Sequence, residues 1–341
     1  MISKSRLIIA LIFTFTFIQC SEQHSRRLPR HSGRSGEIFV VMDGNPWKAN
    51  PGDSLRAMME SAYPMIPQRE PAFTLLHFLP SQMSDMLRVH RNIIEVVIGP
   101  DSEGENKVSV QREKWSSNQL YIRILATDDA SFYNLLDTEG EKIKSLINRT
   151  EIERIQSNYR TFPNQEAINR VKNKFGITLD LQAEYKIVLD TNNFIWLQRE
   201  RIRYLSNTAH DITQGIFVFD YPYTSDSALT QTLAMAVRDS VLKLYVKGPK
   251  EGAYMTTEYR AEPISEVINL NDRYTLLTSG LWRMENYFMG GPFRCLTTLS
   301  NDSRRVVSVS GFAFAPKFDK REYTREIEAI LRSTKFVENE E

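Results

Sequence analysis

The chain has 341 residues, a formal charge of +1 at neutral pH, and 41% hydrophobic and 25% charged residues. These values are ordinary for a folded protein and exclude a disordered tail, a collagen-like chain and a membrane protein with several spans. The length indicates about two domains or one larger sheet-based domain. Because the charge is close to zero, the chain has no global basic field for nucleic acid, and no nucleic-acid partner is predicted.

The N-terminus has the pattern of an export signal. Lys4 and Arg6 precede an apolar and threonine-rich run over 7–18, and about 12 such residues are too few to span a bilayer as a helix. Cys20 follows the run in an arrangement similar to bacterial lipoprotein signals, whose cysteine becomes the first mature residue and carries the lipid. We predict a lipoprotein signal peptide over 1–19, with an uncleaved anchor helix or an ordinary cleaved signal as the alternatives.

The stretch that follows is polar, basic and rich in loop-forming residues, so residues 20–35 are predicted as a flexible tether. The other cysteine of the chain is Cys295, within a predicted strand. If Cys20 carries lipid, Cys295 has no partner for an intramolecular disulfide. We therefore interpret it as a small buried apolar residue.

Residues 36–160 are predicted as an N-terminal lobe. Apolar alternation and helical spacing place its elements in the following order. They are a strand at 37–42, a helix that begins at Asp53 or Ser54, a strand at 73–78, a short helix at 81–89, a strand at 92–99, an antiparallel pair at 107–114 and 119–126, and helices over about 130–136 and 139–159.

Residues 161–341 are predicted as a C-terminal lobe. Asn164 is placed to cap its first helix and Gly176 to end it. The predicted elements are a helix at 165–175, strands at 177–181, 185–190 and 194–199, a strand at 215–220, a helix over about 228–246, antiparallel strands at 274–284, 291–299 and 305–314, and a last helix at 320–333.

The two halves echo each other over a short pattern. Gly36 and Gly215 each precede an Ile-Phe-Val strand that ends in aspartate, and Asp-Ser pairs at 53 and 226 open the next helices. Chance is the alternative explanation for so short a match. With the order of the elements, the echo favours an α+β protein of two related lobes, each a mainly antiparallel sheet with helices packed on it.

Several strings of the chain are distinctive, and together they extend over nearly all of the mature chain. They are FIWLQR (194–199), Arg238-Asp239, GAYMTTE (252–258), GLW (280–282), FMGGPF (288–293), 311–316 with 320–323, GEIFVVMD (36–43) and His90-Arg91-Asn92. In these strings the chain resembles a lipoprotein family of Bacteroidetes that is catalogued as a domain of unknown function, DUF4837. The resemblance implies a lipid-anchored envelope protein and no particular activity. Since residues 21–27 lack the acidic run of surface-exported lipoproteins, we expect the chain to face the periplasm.

A Gly-Gly-Pro segment at 290–292 is the most unusual local chemistry. Paired glycines permit positive φ or a close approach of backbones, so a ligand could reach exposed amides there. The alternative is a β-bulge that lets neighbouring aromatic residues pack. We name as candidate binding residues Trp282, Met289, Gly290, Gly291 and Phe293.

Aromatic residues in two loops are further candidates. Trp47 follows the first Ile-Phe-Val strand, and Tyr221 and Tyr223 follow the second. Aromatic side chains in such loops can stack on a glycan ring or on a partner's proline. The alternative is that they cover a sheet edge or the interface between the lobes.

No motif identifies a reaction. The histidines lack the paired spacing of metal ligands, so no metal and no cofactor are predicted. We expect a non-enzymatic binding or assembly module, held at a membrane by its lipid, with an envelope protein or glycan as partner. The alternative is a hydrolase of envelope glycan or peptide, for which Arg238, Asp239 and Glu258 are the candidate polar residues.

Overall fold

The computed structural model describes residues 27–337 and has an α+β fold of two lobes, which confirms the predicted fold class. The predicted signal peptide and Cys20 lie outside the described residues. The N-terminal lobe contains β1 (Glu37–Val41), α1 (Gly44–Trp47), α2 (Asn50–Met59), β2 (Thr74–Phe78), α3 (Asp85–Arg88), β3 (Asn92–Ile98), β4 (Lys107–Arg112), β5 (Leu120–Ala126) and α4 (Asp129–Thr161).

The N-terminal sheet is mainly parallel, which corrects the prediction of an antiparallel sheet in each lobe. Its strand order is β2-β1-β3-β5-β4, and only the pair β4–β5 is antiparallel. Parallel neighbours need long crossovers. Here α1 and α2 connect β1 to β2, and α3 lies between β2 and β3.

Helices α2 and α4 cover one face of this sheet. Alternate strand residues point to opposite faces. On the covered face, Ile38, Ile94 and Ile122 are buried against Leu55 of α2 and Ile147 of α4. On the opposite face the smaller apolar cluster contains Phe39, Val41, Ile93 and Tyr121. Within residues 27–337 no long helix covers this second face, which leaves room for a cleft.

The C-terminal lobe is built on an eight-stranded antiparallel sheet, in the order β10-β12-β13-β14-β9-β8-β7 with β11 paired to β12. Helices α5 and α7 pack on one face, and α6 packs on the other. The elements are α5 (Gln165–Phe175), β6 (Ile177–Thr178), β7 (Lys186–Thr191), β8 (Phe194–Leu205), β9 (Thr208–Pro222), α6 (Gln231–Tyr245), β10 (Tyr254–Thr257), β11 (Ile264–Leu270), β12 (Arg273–Glu285), β13 (Tyr287–Leu299), β14 (Arg305–Phe314), α7 (Arg321–Arg332) and β15 (Lys335–Phe336).

The two lobes do not share one topology, so the echo around Gly36 and Gly215 is not a structural repeat. Gly36 precedes β1, which is parallel to both of its neighbours. Gly215 lies inside β9, which is antiparallel to both of its neighbours. The similarity is confined to the strand sequence itself, because an alternating apolar strand suits either kind of sheet.

Helix α7 joins the lobes. Its first backbone amides, those of Lys320 and Arg321, donate to the carboxylate of Glu70 in the N-terminal lobe at 2.7 and 2.8 Å. Farther along, Arg325 is fully buried and donates to the carbonyl of Ala72. A carboxylate at a helix N-terminus satisfies free amides and complements the helix dipole. The interface therefore contains ionic and backbone contacts from one helix.

The segment predicted as a tether is ordered in part. Ser117 donates its backbone amide to Pro29 at 2.8 Å, and Ser32 exchanges backbone hydrogen bonds with Val89 and Arg91 at 3.0 Å each. Residues 29–35 therefore lie along the N-terminal lobe. This corrects the prediction that residues 29–35 are flexible. They are held by backbone hydrogen bonds, which a polar composition does not reveal.

Capping residues predicted both ends of α5 but not the start of α2, which begins at Asn50 rather than at Asp53 or Ser54. Asn164 accepts from Ala167 and Gly176 has φ +67°, which confirms the helix at 165–175. The two helices predicted within 130–159 are instead one helix, α4, with Gly140 inside it. No helix among residues 27–337 is long and apolar enough to cross a membrane.

Candidate functional site

A cleft of about 370 Å³ lies on the less covered face of the N-terminal sheet. Its floor consists of apolar side chains from neighbouring strands, Val41 of β1 and Ile93 of β3. We call it the sheet cleft. Its other lining residues are Glu95 and Tyr121 with Arg123 on the sheet, Lys114 and Trp115 before β5, and Pro80, Met83 and Arg88 after β2.

Cations and aromatic rings are in contact on one side of the sheet cleft. The Lys114 ammonium lies 4.2 Å from the ring centre of Trp115 and 3.6 Å from that of Tyr121. The Arg88 guanidinium lies 5.9 Å from the ring centre of Trp115. The rings of Trp115 and Tyr121 meet edge to face at 5.1 Å. These contacts hold Lys114 and Trp115 beside the sheet.

Glu95 is the anionic residue of the sheet cleft. It is the register partner of Arg123, whose Nε lies 3.2 Å from its carboxylate, and the Tyr121 hydroxyl donates to the same carboxylate. Burial, reinforced by the hydrogen bond to Glu95, raises the pKa of Tyr121, so its hydroxyl remains a donor at neutral pH. Burial lowers the pKa of Lys114, an effect that the Glu95 charge opposes.

The sheet cleft has an excess of positive charge. Arg88, Lys114 and Arg123 face the single carboxylate of Glu95. Arg88 also pairs with Asp85, whose side chain is almost fully exposed, so that exposed pair neutralises little of its charge. Cations beside aromatic rings over an apolar floor can bind a ligand that combines an acidic group with a flat or ring-shaped apolar face.

Sequence reasoning did not select any lining residue of the sheet cleft. The signal was one charged residue in each of two apolar strands, Glu95 in NIIEVVI and Arg123 in LYIRILA. A buried apolar strand seldom contains a charge without a partner. Pairing β3 with β5 would have placed the two charges side by side.

A buried polar network positions the strands that form the cleft floor. Glu151 of α4 is fully buried and accepts from Arg91 at 2.6 and 3.0 Å, from Asn92 at 2.7 Å and from Arg154 at 2.6 Å. Arg154 also donates to the carbonyls of Arg91 and Asn118. Although burial opposes ionisation, the charges of Arg91 and Arg154 keep the pKa of Glu151 below its usual value. The network attaches α4 to the first residues of β3.

Comparison with known families divides the chain in two. The model of DUF4837, a domain of unknown function, matches residues 164–333. This match confirms the predicted resemblance to DUF4837 for the C-terminal half of the chain. A second model, DUF8532, also a domain of unknown function, matches residues 31–160. The DUF4837 match therefore covers the C-terminal half, whereas the sequence resemblance extended it over nearly all of the mature chain.

Other comparisons add no function. No curated protein matches the chain. A crystal structure from Bacteroides thetaiotaomicron aligns over 49% of this chain and 47% of its own length, with 5% identity and a TM-score of 0.26. The chain thus spans about half the length of that structure, and so low a score supports no conclusion about fold or activity.

The Gly-Gly-Pro segment of the DUF4837 half contributes to packing. Trp282 and Phe293 are almost fully buried, and the Trp282 indole donates to the carbonyl of Ala313 at 3.2 Å. A Cβ on Gly291 would lie 2.2 Å from that carbonyl oxygen. The pairing register shifts where β12 turns into β13, and Met289 packs beside the same core.

Of the two predicted reasons for the paired glycines, positive φ and close backbone approach, the second applies. Neither Gly290 nor Gly291 has a positive φ. A Cβ on Gly290 would lie 2.7 Å from the carbonyl oxygen of Trp282. Close backbone approach is therefore what requires glycine at both positions.

The aromatic residues predicted in two loops lie against the protein surface. Trp47 is the last residue of α1 and Tyr221 lies in β9, so only Tyr223 of the three is in a loop. Trp47 is half-buried, stacks on His77 at 4.5 Å and is covered by Arg56 at 4.2 Å. Tyr221 is half-buried and donates to the carbonyl of Ala228 at 2.9 Å. The structure does not bring these residues together with the sheet cleft, since none of them lines it. Tyr223 is also half-buried, and its hydroxyl donates to Asp226.

The polar residues considered for hydrolysis attach α6 to the sheet of the DUF4837 half. Arg238 is fully buried and donates to Ser310 and Thr257 at 3.1 Å each. Asp239 accepts from the Thr257 amide at 2.9 Å and from the Tyr259 hydroxyl at 3.0 Å.

Glu258 is the third polar residue considered for hydrolysis. Glu258 forms an ion pair with Arg260, whose side chain is mostly exposed. Within residues 27–337, no group of three or more His, Cys, Asp or Glu side chains is arranged to hold a metal ion. Cys295 is buried and free, as its interpretation as an apolar residue requires.

Proposed function

We propose that the chain is a lipid-anchored binding module of the cell envelope, facing the periplasm, whose ligand occupies the sheet cleft. The observation that supports this proposal is the arrangement of Arg88, Lys114 and Arg123 around Trp115 and an apolar floor. The ligand class is a carboxylate-bearing glycan or glycopeptide. Its acidic group would pair with the cations, and a sugar ring would stack on Trp115.

The contacts of the carboxylates in and near the sheet cleft favour binding over hydrolysis. Glu95 already accepts from Tyr121 and pairs with Arg123. Glycoside hydrolysis by the usual route needs two carboxyl groups that face each other across the scissile bond. The sheet cleft supplies one carboxylate, and Asp239 and Glu258 do not line it. We therefore assign Glu95 the role of orienting the arginine and the tyrosine.

The anchor is tested by lipid labelling in cells. Labelled palmitate is expected to enter the wild-type chain, and Cys20→Ala is expected to abolish the labelling. A second substitution, Cys295→Ala, is the matched control, because this buried thiol is not accessible for acylation. The variant at position 20 should also release most of the chain from membranes, because the lipid chains supply the anchoring free energy. Labelling that persists in Cys20→Ala would contradict the anchor.

The ligand site is tested by calorimetric titration with an oligosaccharide of hexuronic acid units. Lys114→Ala and Arg123→Ala are each expected to weaken binding about tenfold, since a charge-assisted hydrogen bond contributes about 1.5–3 kcal/mol. Trp115→Ala should weaken the binding of acidic and neutral oligosaccharides equally, because Trp115 contacts the sugar ring and not the acidic group. Each variant's melting temperature is measured alongside.

Arg112→Ala is the control for removal of a cation. Arg112 belongs to the same β4–β5 hairpin, but it pairs with Glu153 of α4 rather than lining the cleft. Its binding should equal that of the wild type. Unchanged binding in Lys114→Ala and Arg123→Ala, or an equal loss in Arg112→Ala, would exclude the sheet cleft as the ligand site.

A further inference from the structure

A second surface lies at the β12–β13 hairpin of the other lobe and has a different character. Phe288, at the tip, is completely exposed, and Tyr287 beside it is 38% exposed. Large apolar side chains are seldom left so open without a partner. We call this surface the hairpin patch, and it consists of Lys243, Leu244, Lys247, Lys250, Tyr254, Tyr287 and Phe288.

The members of the hairpin patch are neighbours in space. The Lys250 ammonium lies 5.8 Å from the ring centre of Tyr287, and that of Lys243 lies 5.1 Å from the ring centre of Tyr254. Lys247 pairs through a backbone bridge with Tyr254, which in turn pairs with Glu285 at the hairpin. The end of α6, the loop after it and the hairpin therefore form one continuous surface.

The apolar part of the patch extends onto α6. The side chain of Leu244 on this helix is 61% exposed. It lies one turn from Lys247, whose ammonium donates to the carbonyl of Lys243 at 2.6 Å. Exposed apolar and cationic side chains therefore lie together at the C-terminal end of α6.

The charge of the patch is positive. Lys243, Lys247 and Lys250 are all exposed, and the nearby acids are Glu251 and Glu285. Glu285 is engaged by Arg283 at 2.5 Å, so the lysines exceed the remaining acid. Aromatic and aliphatic side chains among lysines match the interface of an anionic bilayer, where rings enter the headgroup region and ammonium groups pair with phosphates.

We propose that the hairpin patch contacts the surface of an anionic lipid bilayer. Phe288 and Leu244 insert among the headgroups, while the three lysines pair with lipid phosphates. This contact does not depend on lipid at Cys20 or on a ligand in the sheet cleft. A lipid-anchored chain with this contact would lie against the bilayer through its C-terminal lobe, in a defined orientation.

The test uses the full chain with Cys20→Ala, which removes the lipid and leaves the rest of the chain unchanged. Its co-sedimentation with phosphatidylglycerol vesicles is compared with that of the same chain carrying Phe288→Ser or Lys250→Glu. We expect Phe288→Ser to reduce the partition coefficient about tenfold and Lys250→Glu to reduce it at least fivefold. Because both chains of each comparison share the N-terminal apolar segment, the difference reports the patch alone.

Val267→Ser is the matched control. Val267 is 59% exposed on β11 and pairs with Leu276, which lies about 30 Å along β12 from the hairpin tip. Its partition coefficient should equal that of the parent chain. Binding of the parent should also fall in phosphatidylcholine vesicles and at high salt, because the lysine contribution is screened.

Two results would overturn the proposal. One is equal vesicle binding by the parent and Phe288→Ser. The other is a loss of self-association in Phe288→Ser, measured by sedimentation velocity without lipid, which would identify a second copy of the chain as the partner. Neither result would affect palmitate labelling at Cys20 or oligosaccharide binding in the sheet cleft.

Discussion

Glu151→Ala is expected to lower the free energy of unfolding by about 3–5 kcal/mol, because removing one partner of a buried ionic network leaves charge without compensation. Glu151 is fully buried and accepts from Arg91, Asn92 and Arg154. Its substitution would leave two arginines buried at the start of β3. Urea unfolding at neutral pH, followed by circular dichroism, measures the change.

Glu153→Ala is the control for this experiment. Glu153 lies two residues farther along α4 and forms a half-exposed pair with Arg112. Exposed pairs contribute about 0.2–1 kcal/mol, so this variant should unfold close to the wild type. Equal unfolding midpoints for the two variants would show that the network does not stabilise the N-terminal lobe.

The same network has a defined pH dependence. The pKa of Glu151 is below its usual value in the folded chain. The stabilisation by its ionised form is therefore complete above the pKa of an unfolded glutamate and is lost as the pH falls through the lowered value. The difference in stability between wild type and Glu151→Ala should decrease on acidification.

Gly291→Ala is expected to lower the free energy of unfolding by about 2–3 kcal/mol, since overpacking and a lost buried hydrogen bond both contribute. The new Cβ would lie 2.2 Å from the carbonyl oxygen of Ala313, which accepts from the Trp282 indole. Either β13 or that carbonyl must move. The melting temperature of the ligand-free chain and the near-ultraviolet circular dichroism of Trp282 are the measurements.

Gly44→Ala is the matched substitution. A Cβ at Gly44 would approach Leu79 at 3.4 Å, an ordinary contact, so the melting temperature should change little. If Gly291→Ala had the same melting temperature as Gly44→Ala and lost only oligosaccharide binding, the proposed packing role of the Gly-Gly-Pro segment would be wrong. The segment would then be assigned to ligand binding.

Local signals explain which parts of the fold could be predicted. Asn164 and Gly176 define the ends of α5 through hydrogen bonds and φ values that involve only neighbouring residues. Apolar alternation likewise predicted the antiparallel pair β4–β5. These interactions are local, so they are visible in a single sequence.

The direction of strand pairing could not be predicted from local signals. The residues of β3 and β5 suit parallel and antiparallel sheets, and the choice depends on where α4 and the loop after β2 lie. Their nearly continuous apolar runs, typical of strands buried on both faces, were the available signal. The sheet cleft was missed for the same reason, because Glu95 and Arg123 become neighbours only once β3 pairs with β5.

Helix α7 has a consequence for the order in which the chain folds. Its Arg325 contacts Ala72 across 253 positions of sequence, and such distant contacts form late and slowly. Synthesis and the proposed export both proceed from the N-terminus, so the N-terminal lobe is available to fold before α7. Until α7 packs against it, the surface around Glu70 and Ala72 is exposed to solvent, and proteases and chaperones have access to it.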